Sequence, residues 1–275
     1  MEYQSTGHCS NHQIQYGRGI TYPPFPRHEL HAHETCELFY LIRGNGYYIT
    51  EGARHKLEPG LLILMRSGET HMPSVTGEEP YERIALHFSP ALVDGIDPRH
   101  RILAPFFDRP LGQHNVYDRS ALASTGIYEA FADMNHSSGD NYDNCLHVTT
   151  LLLYVLNELN TLFHAERYQR TTEDADHLHS LLEYLNEHIT SPLSIDYLCE
   201  KFYISRAQLN RSFKNITGTT VWDYIITKRL MLARSYLAEG MHANEAASAS
   251  GFGDYSAFYR AYRRQYGTTP SEKPC

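Results

Sequence analysis

Between His28 and Phe88 apolar and aromatic residues come in short runs separated by glycine-bearing turns: LFYLI (Leu38 to Ile42), YYIT (Tyr47 to Thr50), LLILM (Leu61 to Met65) and YERIALHF (Tyr81 to Phe88). Runs of β-branched and aromatic residues broken at such short intervals predict antiparallel hairpins that close into a sandwich or barrel. In the last run Tyr81, Arg83, Ala85 and His87 alternate with Glu82, Ile84, Leu86 and Phe88, so one face of the strand is polar and the other largely apolar. Beyond residue 115 the period becomes helical, over about 119–134 and then 145–166. In the second of these helices Val148, Leu152, Val155, Leu159 and Leu162 recur every three or four residues, with Leu151, Leu153, Leu156 and Phe163 widening the stripe. Such a stripe must be covered, either by the barrel of its own chain or by the same helix of a second subunit. A homodimer through 145–166 is the expectation.

The polar, acidic stretch TTEDAD marks a linker at 171–177. HLHSLLEYLNEHI then sets Leu178, Leu182, Leu185 and Ile189 on one helical face. Two similar arrangements follow, each a short helix, a tight turn and a second helix. The first spans 194–217, its helices opened by Ser194 and Ser205, residues suited to accept a bond from a free backbone N–H. The other spans 242–266, with a Gly-Phe-Gly turn at 251–253. These are helix-turn-helix patterns. In the second helix of the first, Leu209, Phe213 and Ile216 share an inner face, while Arg206, Ala207, Asn210, Arg211 and Lys214 look outward. In its counterpart Phe258, Tyr262 and Tyr266 look inward and Tyr255, Ser256, Tyr259, Arg260, Arg263 and Arg264 outward. A long helix, TVWDYIITKRLMLARSYLAEG, joins the two. The expected organisation is a multidomain α+β chain: a ligand-binding barrel over 1–115, a helical dimerisation segment over 116–170, the linker, and an all-α DNA-binding domain over 178–275.

Composition supports two jobs in one chain. The 275 residues are 41% apolar, enough for a real core. Net charge is −8, yet residues 1–200 hold 13 Lys/Arg against 27 Asp/Glu, whereas 201–270 hold 10 against 4. The acidic part repels phosphate and the basic part attracts it. Five scattered cysteines (Cys9, Cys36, Cys145, Cys199, Cys275), with no CxxC spacing, indicate reduced thiols rather than a disulfide framework or zinc knuckle. No run is long and apolar enough to span a membrane, and MEYQSTGHCS lacks the layout of a signal peptide, so the expected location is the cytoplasm with no membrane partner.

The chemistry-bearing stretch is HAHETCELFYLIRG, His31 to Gly44. On a continuous strand His31, His33 and Glu37 would share a face. His-x-His-x3-Glu-x6-Gly, followed by Gly60-x5-Arg66-x-Gly68-x2-His71, resembles the two motifs of the cupin superfamily, with Arg66 where cupins usually carry Pro and Val75 where they carry Asn. The resemblance implies that His31, His33, Glu37 and His71 point into a small β-barrel. There they would either hold a divalent transition metal (Zn, Ni, Mn or Fe) or line an organic-ligand pocket without one. With Arg83 and His87 from the polar strand, and His28, Arg43 and Tyr48 as further candidates, such a face suits a hydroxylated effector such as a sugar. A solvent-facing strand surface is the alternative for that face.

LSIDYLCEKFYISRAQLNRSFKNITG, the linker core Tyr-x4-Arg-Leu-x2-Ala-x2-Tyr-Leu (Tyr224 to Leu237) and GFGDYSAFYRAYRRQYGTTP together resemble the AraC/XylS family of transcription regulators. The resemblance covers roughly Leu178 to Pro270. It implies two helix-turn-helix units reading successive major grooves of a double-stranded operator, an N-terminal effector-binding barrel that often dimerises, and no enzyme activity. By position the family's base contacts fall on Ala207, Asn210, Arg211, Tyr255, Ser256, Tyr259 and Arg260, with Arg206, Lys214, Arg263 and Arg264 beside them. Lys214, Arg263 and Arg264 suit phosphates. Where the family usually has two isoleucines this chain has Ala243 and Ala246, and SEKPC replaces the usual C-terminal Tyr-Arg extension, so lighter packing and weaker reading are expected of the second unit. The expected function is a ligand-responsive regulator that switches operator binding or RNA polymerase recruitment. The alternative is a metal-dependent cupin isomerase or dioxygenase fused to a DNA-binding domain.

Overall fold

A computed structural model describes residues 3–26, 28–51, 53–135, 141–165, 176–217 and 219–271. The 171–177 linker falls mostly outside the described residues. The chain divides into two compact units, the first built mainly from residues 1–170 and the second from 171–275. Residues 116–165 therefore group with the barrel.

The first unit has nine strands: β1 (Tyr3–Ser10), β2 (Ile14–Thr21), β3 (Cys36–Arg43), β4 (Asn45–Thr50), β5 (Ala53–Lys56), β6 (Leu62–Met65), β7 (His71–Thr76), β8 (Tyr81–Phe88) and β9 (Val116–Tyr117). They form a six-stranded sheet in the order β1-β2-β8-β3-β6-β9 and a three-stranded sheet β5-β4-β7. The side-chain period of two decides what each face of the large sheet does. Gly17 pairs with Ala85, Phe39 with Ala85, and Glu37 with both His87 and Met65, so these residues lie on one face, toward the small sheet. Phe39, Leu41, Tyr48, Leu57, Ile63, Met65 and Tyr81 pack there as an inner core. Ile14, Tyr16, Leu38, Leu64, Leu86 and Phe88 alternate with them onto the outer face.

That outer face meets helices α1 (Ala104–Phe107), α2 (Arg119–Leu122), α3 (Ile127–Asp133) and α4 (Asn141–Ala165). The helix expected at 119–134 is broken between α2 and α3. The stripe of α4 is spent here: Cys145, Val148, Leu152, Val155, Leu156 and Leu159 are buried in the same core as Leu38, Leu86 and Phe88. This corrects the dimer seam expected along Val148, Leu152, Val155 and Leu159, because a β-sheet with an apolar outer face must be covered and its own helix covers it. The large apolar side chains that α4 leaves exposed among the described residues are Tyr142, Leu146 and Tyr154.

A buried ion pair closes one side of this unit. Both Glu69 carboxylate oxygens accept from the Arg109 guanidinium, at 2.8 and 2.6 Å, and Gly112 N–H and Arg66 N–H also donate to Glu69. The Arg109 side chain further donates to the Leu64 and Pro105 carbonyls, so every strong donor is directed at an acceptor.

The second unit holds α5 (Asp176–Glu187), α6 (Ile195–Lys201), α7 (Arg206–Thr217), α8 (Val221–Ala238), α9 (Ala243–Ala249) and α10 (Tyr255–Tyr266). Ser194 caps α6 by accepting from Tyr197 N–H. Ser205 and Gln208 form a reciprocal box: the Ser205 hydroxyl accepts from Gln208 N–H at 3.2 Å, and Gln208 Oε1 accepts from Ser205 N–H at 3.2 Å. Asp254 caps α10 through Ser256 N–H and Ala257 N–H. Ala246 and Ala247 on α9 are buried, and a ladder of rings lies beside these small side chains. Phe258 sits 5.2 Å from Phe252 and 5.5 Å from Tyr262, which is 4.7 Å from Tyr266.

Candidate ligand pocket and nucleic-acid interface

A cavity of about 390 Å³ opens on the inner face of the large sheet, where β1, β2 and β8 run side by side. The register explains its shape. His8 pairs with Gly17, Gly17 with Ala85, Gln15 with His87 and Gly19 with Arg83. At Gly17 a side chain would meet nothing within 4 Å. The small residues make the floor and the long polar ones the wall. His8, Gln15, Arg83 and His87 all line the cavity, Arg83 and His87 half-buried on β8 and His8 and Gln15 exposed at its open side. Arg83 donates to Thr21 Oγ1 at 3.3 Å, and its guanidinium carbon lies 5.1 Å from the centre of the Tyr81 ring. His28 lies close enough to be affected: burial, then the positive charge of Arg83, hold its imidazole below the ordinary pKa.

Deeper in the barrel Glu37 is buried and meets His71 from the small sheet, Nε2 to Oε2 at 3.1 Å. His71 Nδ1 is 2.8 Å from the Glu69 carbonyl, which can only accept. Burial works to depress this imidazole, but the hydrogen bond and charge of Glu37, with the Glu69 contacts, outweigh it and the pKa is raised. His71 and Glu37 thus form a buried pair that ties the small sheet to the large one. Among the described residues, the three groups that bring one ligand atom each within 4.8 Å of one another are His33, Glu37 and His87. This set differs from the expected His31, His33, Glu37 and His71. The strand starts only at Cys36, so its alternation does not govern His31 and His33, whose ring centres stand 6.4 Å apart. Two imidazoles and a carboxylate fit Zn, Ni, Mn or Fe by donor type.

Two other expected lining residues stand elsewhere. The register shifts between Leu41 and Arg43, so Arg43 pairs with Glu82 instead of continuing the inward face. Its guanidinium lies 3.7 Å from the Glu82 carboxylate, which Arg18 holds at 2.7 Å on the other side of the sheet. Tyr48 is fully buried 4.4 Å from the Phe39 ring and fills the inner core instead of facing the cavity. Conversely His8, Gln15, Gly17 and Gly19 line the cavity, although the β-rich runs picked out of the barrel segment 1–115 all lie after His28. The signal present was the alternation in IQYGRGIT, whose burial runs Ile14, Tyr16, Gly19 and Thr21.

In the second unit Ala207, Asn210, Arg211 and Lys214 are exposed along α7, opposite buried Leu209 and Phe213. Arg206 is exposed too, and pairs with Asp196 at 2.8 Å. The side chain of Ile216 lies outside the described residues. On α10 Tyr255, Ser256, Arg260, Arg263 and Arg264 are exposed and Tyr259 half-buried, opposite Phe258 and Tyr262. Arg229 of α8 donates to the Ile189 and Ser191 carbonyls, each at 2.8 Å, tying the end of the α5 segment to the connecting helix. Gly251, at φ +92°, opens the turn of the second unit so close to that loop that a Cβ would stand 2.9 Å from Thr190 O and 3.0 Å from Arg229 Nε. Only glycine fits there.

A small-molecule cavity in a β-barrel and two helix-turn-helix units on one chain define a ligand-binding transcription regulator. An AraC-like ligand binding domain matches residues 19–143 and a helix-turn-helix domain matches 198–273. The HTH-type transcriptional activators RhaS of Escherichia coli and of Shigella sonnei are each 24% identical over 90% of this chain and 87% of their own length. The crystal structure of ToxT from Vibrio cholerae aligns with 94% of this chain and 97% of its own at 14% identity, with a TM-score of 0.37. The chain belongs to the AraC family of DNA-binding transcription regulators. That family is one of regulators and not of enzymes, which removes the isomerase or dioxygenase alternative. Among the described residues no helix is long and apolar enough to cross a membrane.

Proposed function

We propose that a sugar or a related small hydroxylated metabolite enters the barrel cavity, and that its binding switches the affinity of the chain for a double-stranded operator or its recruitment of RNA polymerase. The carrying observation is the cavity itself: its wall of His8, Gln15, Arg83 and His87 offers donors and acceptors for hydroxyls, on a floor opened by Gly17 and Gly19. Asn210 and Arg211, with Tyr255, Ser256, Tyr259 and Arg260, read base edges, Asn matching adenine and Arg guanine, while Lys214, Arg263 and Arg264 hold phosphates. The regulator acts in the cytoplasm as a homodimer, through the outward side of α4 around Tyr142, Leu146 and Tyr154. Sensing and DNA reading require no cofactor in this reading; a divalent metal on His33, Glu37 and His87 would stiffen the barrel or grip an effector.

The test is calorimetry of the full chain across a panel of sugars, paired with operator binding by fluorescence anisotropy with and without each binder. A sugar that binds and shifts operator affinity is the expected result. Operator affinity indifferent to every metabolite that binds would overturn the sensor.

A further inference from the structure

We infer that Cys9 and Cys145 are a reversible disulfide site, whose closure pins β1, the outermost strand of the large sheet, to the start of α4. The inference goes beyond the sensing role and does not depend on which effector the barrel takes. Nothing in the spacing of the cysteines pairs these two; the fold does. Both thiols are free, and both are buried in the core between the large sheet and its covering helices. The strand period of two sends His8 toward the cavity and Cys9, paired with the outer-face residue Tyr16, toward α4. Asn141, the first residue of α4, fixes the level at which strand and helix meet. Its Oδ1 accepts from Ser10 N–H at 3.2 Å, and its Nδ2 donates to the Ser10 carbonyl at 3.0 Å. One helical turn on, Cys145 Sγ lies 3.9 Å from the same Oδ1. The Cys9 and Cys145 thiols share a hydrogen bond, which sets the two sulfurs side by side.

Burial, then the hydrogen bond and charge of Cys145, push the Cys9 thiol up to about 12. A buried, protonated thiol is a slow nucleophile, so the pair stays reduced while β1 is docked. But β1 ends the sheet and pairs with β2 alone, and an edge strand opens at lower cost than a central one. In the opened state the Cys9 thiol loses its proton to solvent, and the thiolate attacks a low-molecular-weight disulfide such as oxidised glutathione. One glutathione leaves as thiolate, and Cys9 carries the other. When β1 docks again the Cys145 thiol gives up its proton, attacks the Cys9 sulfur and expels the second glutathione thiolate. Two protein thiols are thereby oxidised to one disulfide, and one external disulfide is reduced to two thiols. The bond holds the strand at the residue next to His8, which lines the cavity, and reduction releases it.

The experiment incubates the dilute, native full chain with oxidised glutathione, blocks the remaining thiols with a maleimide in urea, and maps unreduced peptides by mass spectrometry. A Cys9–Cys145 peptide is expected as the main cross-link and should vanish on reduction. Chain oxidised in urea, where any of the thiols can meet, should give a mixture instead. In the cross-linked chain, hydrogen exchange of the β1 amides should slow roughly tenfold or more. Cys9→Ala and Cys145→Ala should each abolish the peptide and the slowing, whereas Cys199→Ala should leave both. If either buried variant fails to fold, the wild-type peptide map and exchange rates decide alone. Cys9 and Cys145 recovered as maleimide adducts, or each capped by glutathione, once Cys199 has fully reacted, overturn the disulfide site. A Cys9–Cys145 peptide with unchanged β1 exchange overturns the pinning of the strand.

Discussion

Arg211 and Glu69 show how differently two charged residues of this chain are used. Arg211 is exposed on α7, where its guanidinium can reach a partner outside the fold. Arg211→Ala should weaken operator binding by roughly 1–3 kcal/mol and relax preference at one base pair, measured by anisotropy over single-base operator variants. Unchanged preference would remove it from the reading face. Glu69 is consumed internally. Burial pushes its carboxyl up, but the hydrogen bond and charge of Arg109, with Gly112 and Arg66 N–H, bring it below the ordinary value. The folded state therefore gains from ionised Glu69 above the unfolded carboxyl pKa of about 4.3, and loses that gain as pH falls through the lowered folded value. Urea unfolding should show stability falling below about pH 4, and falling less steeply when Glu69→Gln and Arg109→Met are combined. Arg109→Met alone should cost roughly 3–5 kcal/mol near neutrality, because it strands a buried carboxylate.

At the scale of elements, the burial of α4 reverses the meaning of an obvious mutation. Leu152→Ala removes packing from the core between sheet and helix and should cost roughly 2–5 kcal/mol of stability, read from denaturant midpoints. Leu146, 58% exposed, is the position that tests association: Leu146→Asp should leave the fold intact and yield monomers in sedimentation. Unchanged mass would place the dimer contact elsewhere. In the second unit Gly251→Ala meets backbone at 2.9 Å and a positive φ, and should cost about 1–3 kcal/mol with operator affinity falling more than stability alone explains.

These elements also show what was legible beforehand. The helix-turn-helix units were plain because serine caps, three-to-four spacing and outward basic residues all agree locally, as at Ser194, Ser205 and Arg211. Strands β3, β4, β6 and β8 were plain because they are rich in Leu, Ile, Tyr and Phe. β1 and β2 were not: glycine at 17 and 19 erases half of the alternation, and a residue chosen for the space it leaves carries no apolar signal. Half of the cavity wall was hidden for that reason. Arg43 was misplaced because a one-residue register shift turns a side chain to the other face, and nothing in CELFYLIRG announces the shift. The α4 stripe was seen correctly as apolar, but periodicity says that a face is covered and not by what.

For the whole molecule the division of charge matters most. A chain whose first 200 residues hold 27 Asp/Glu against 13 Lys/Arg should meet phosphate more favourably through the basic outward faces of α7 and α10 than through its acidic part. Operator affinity should fall linearly on a log–log plot against salt, and Lys214→Ala should reduce that slope by roughly one while weakening all sequences alike. An unchanged slope would mean that Lys214 meets no phosphate.

The pairing of β2 with β8 carries a consequence for synthesis. Ile14 leaves the ribosome early but has no partner until Phe88 follows it, and the intervening hairpins emerge in between. The cavity thus closes in two stages: the β1–β2 hairpin forms through a local turn, and the wall from β8 depends on a long-range contact. While the chain is still growing, β2 is paired with β1 on one side only, and its other edge, with glycines at 17 and 19, waits for β8 and is open to a neighbouring nascent chain.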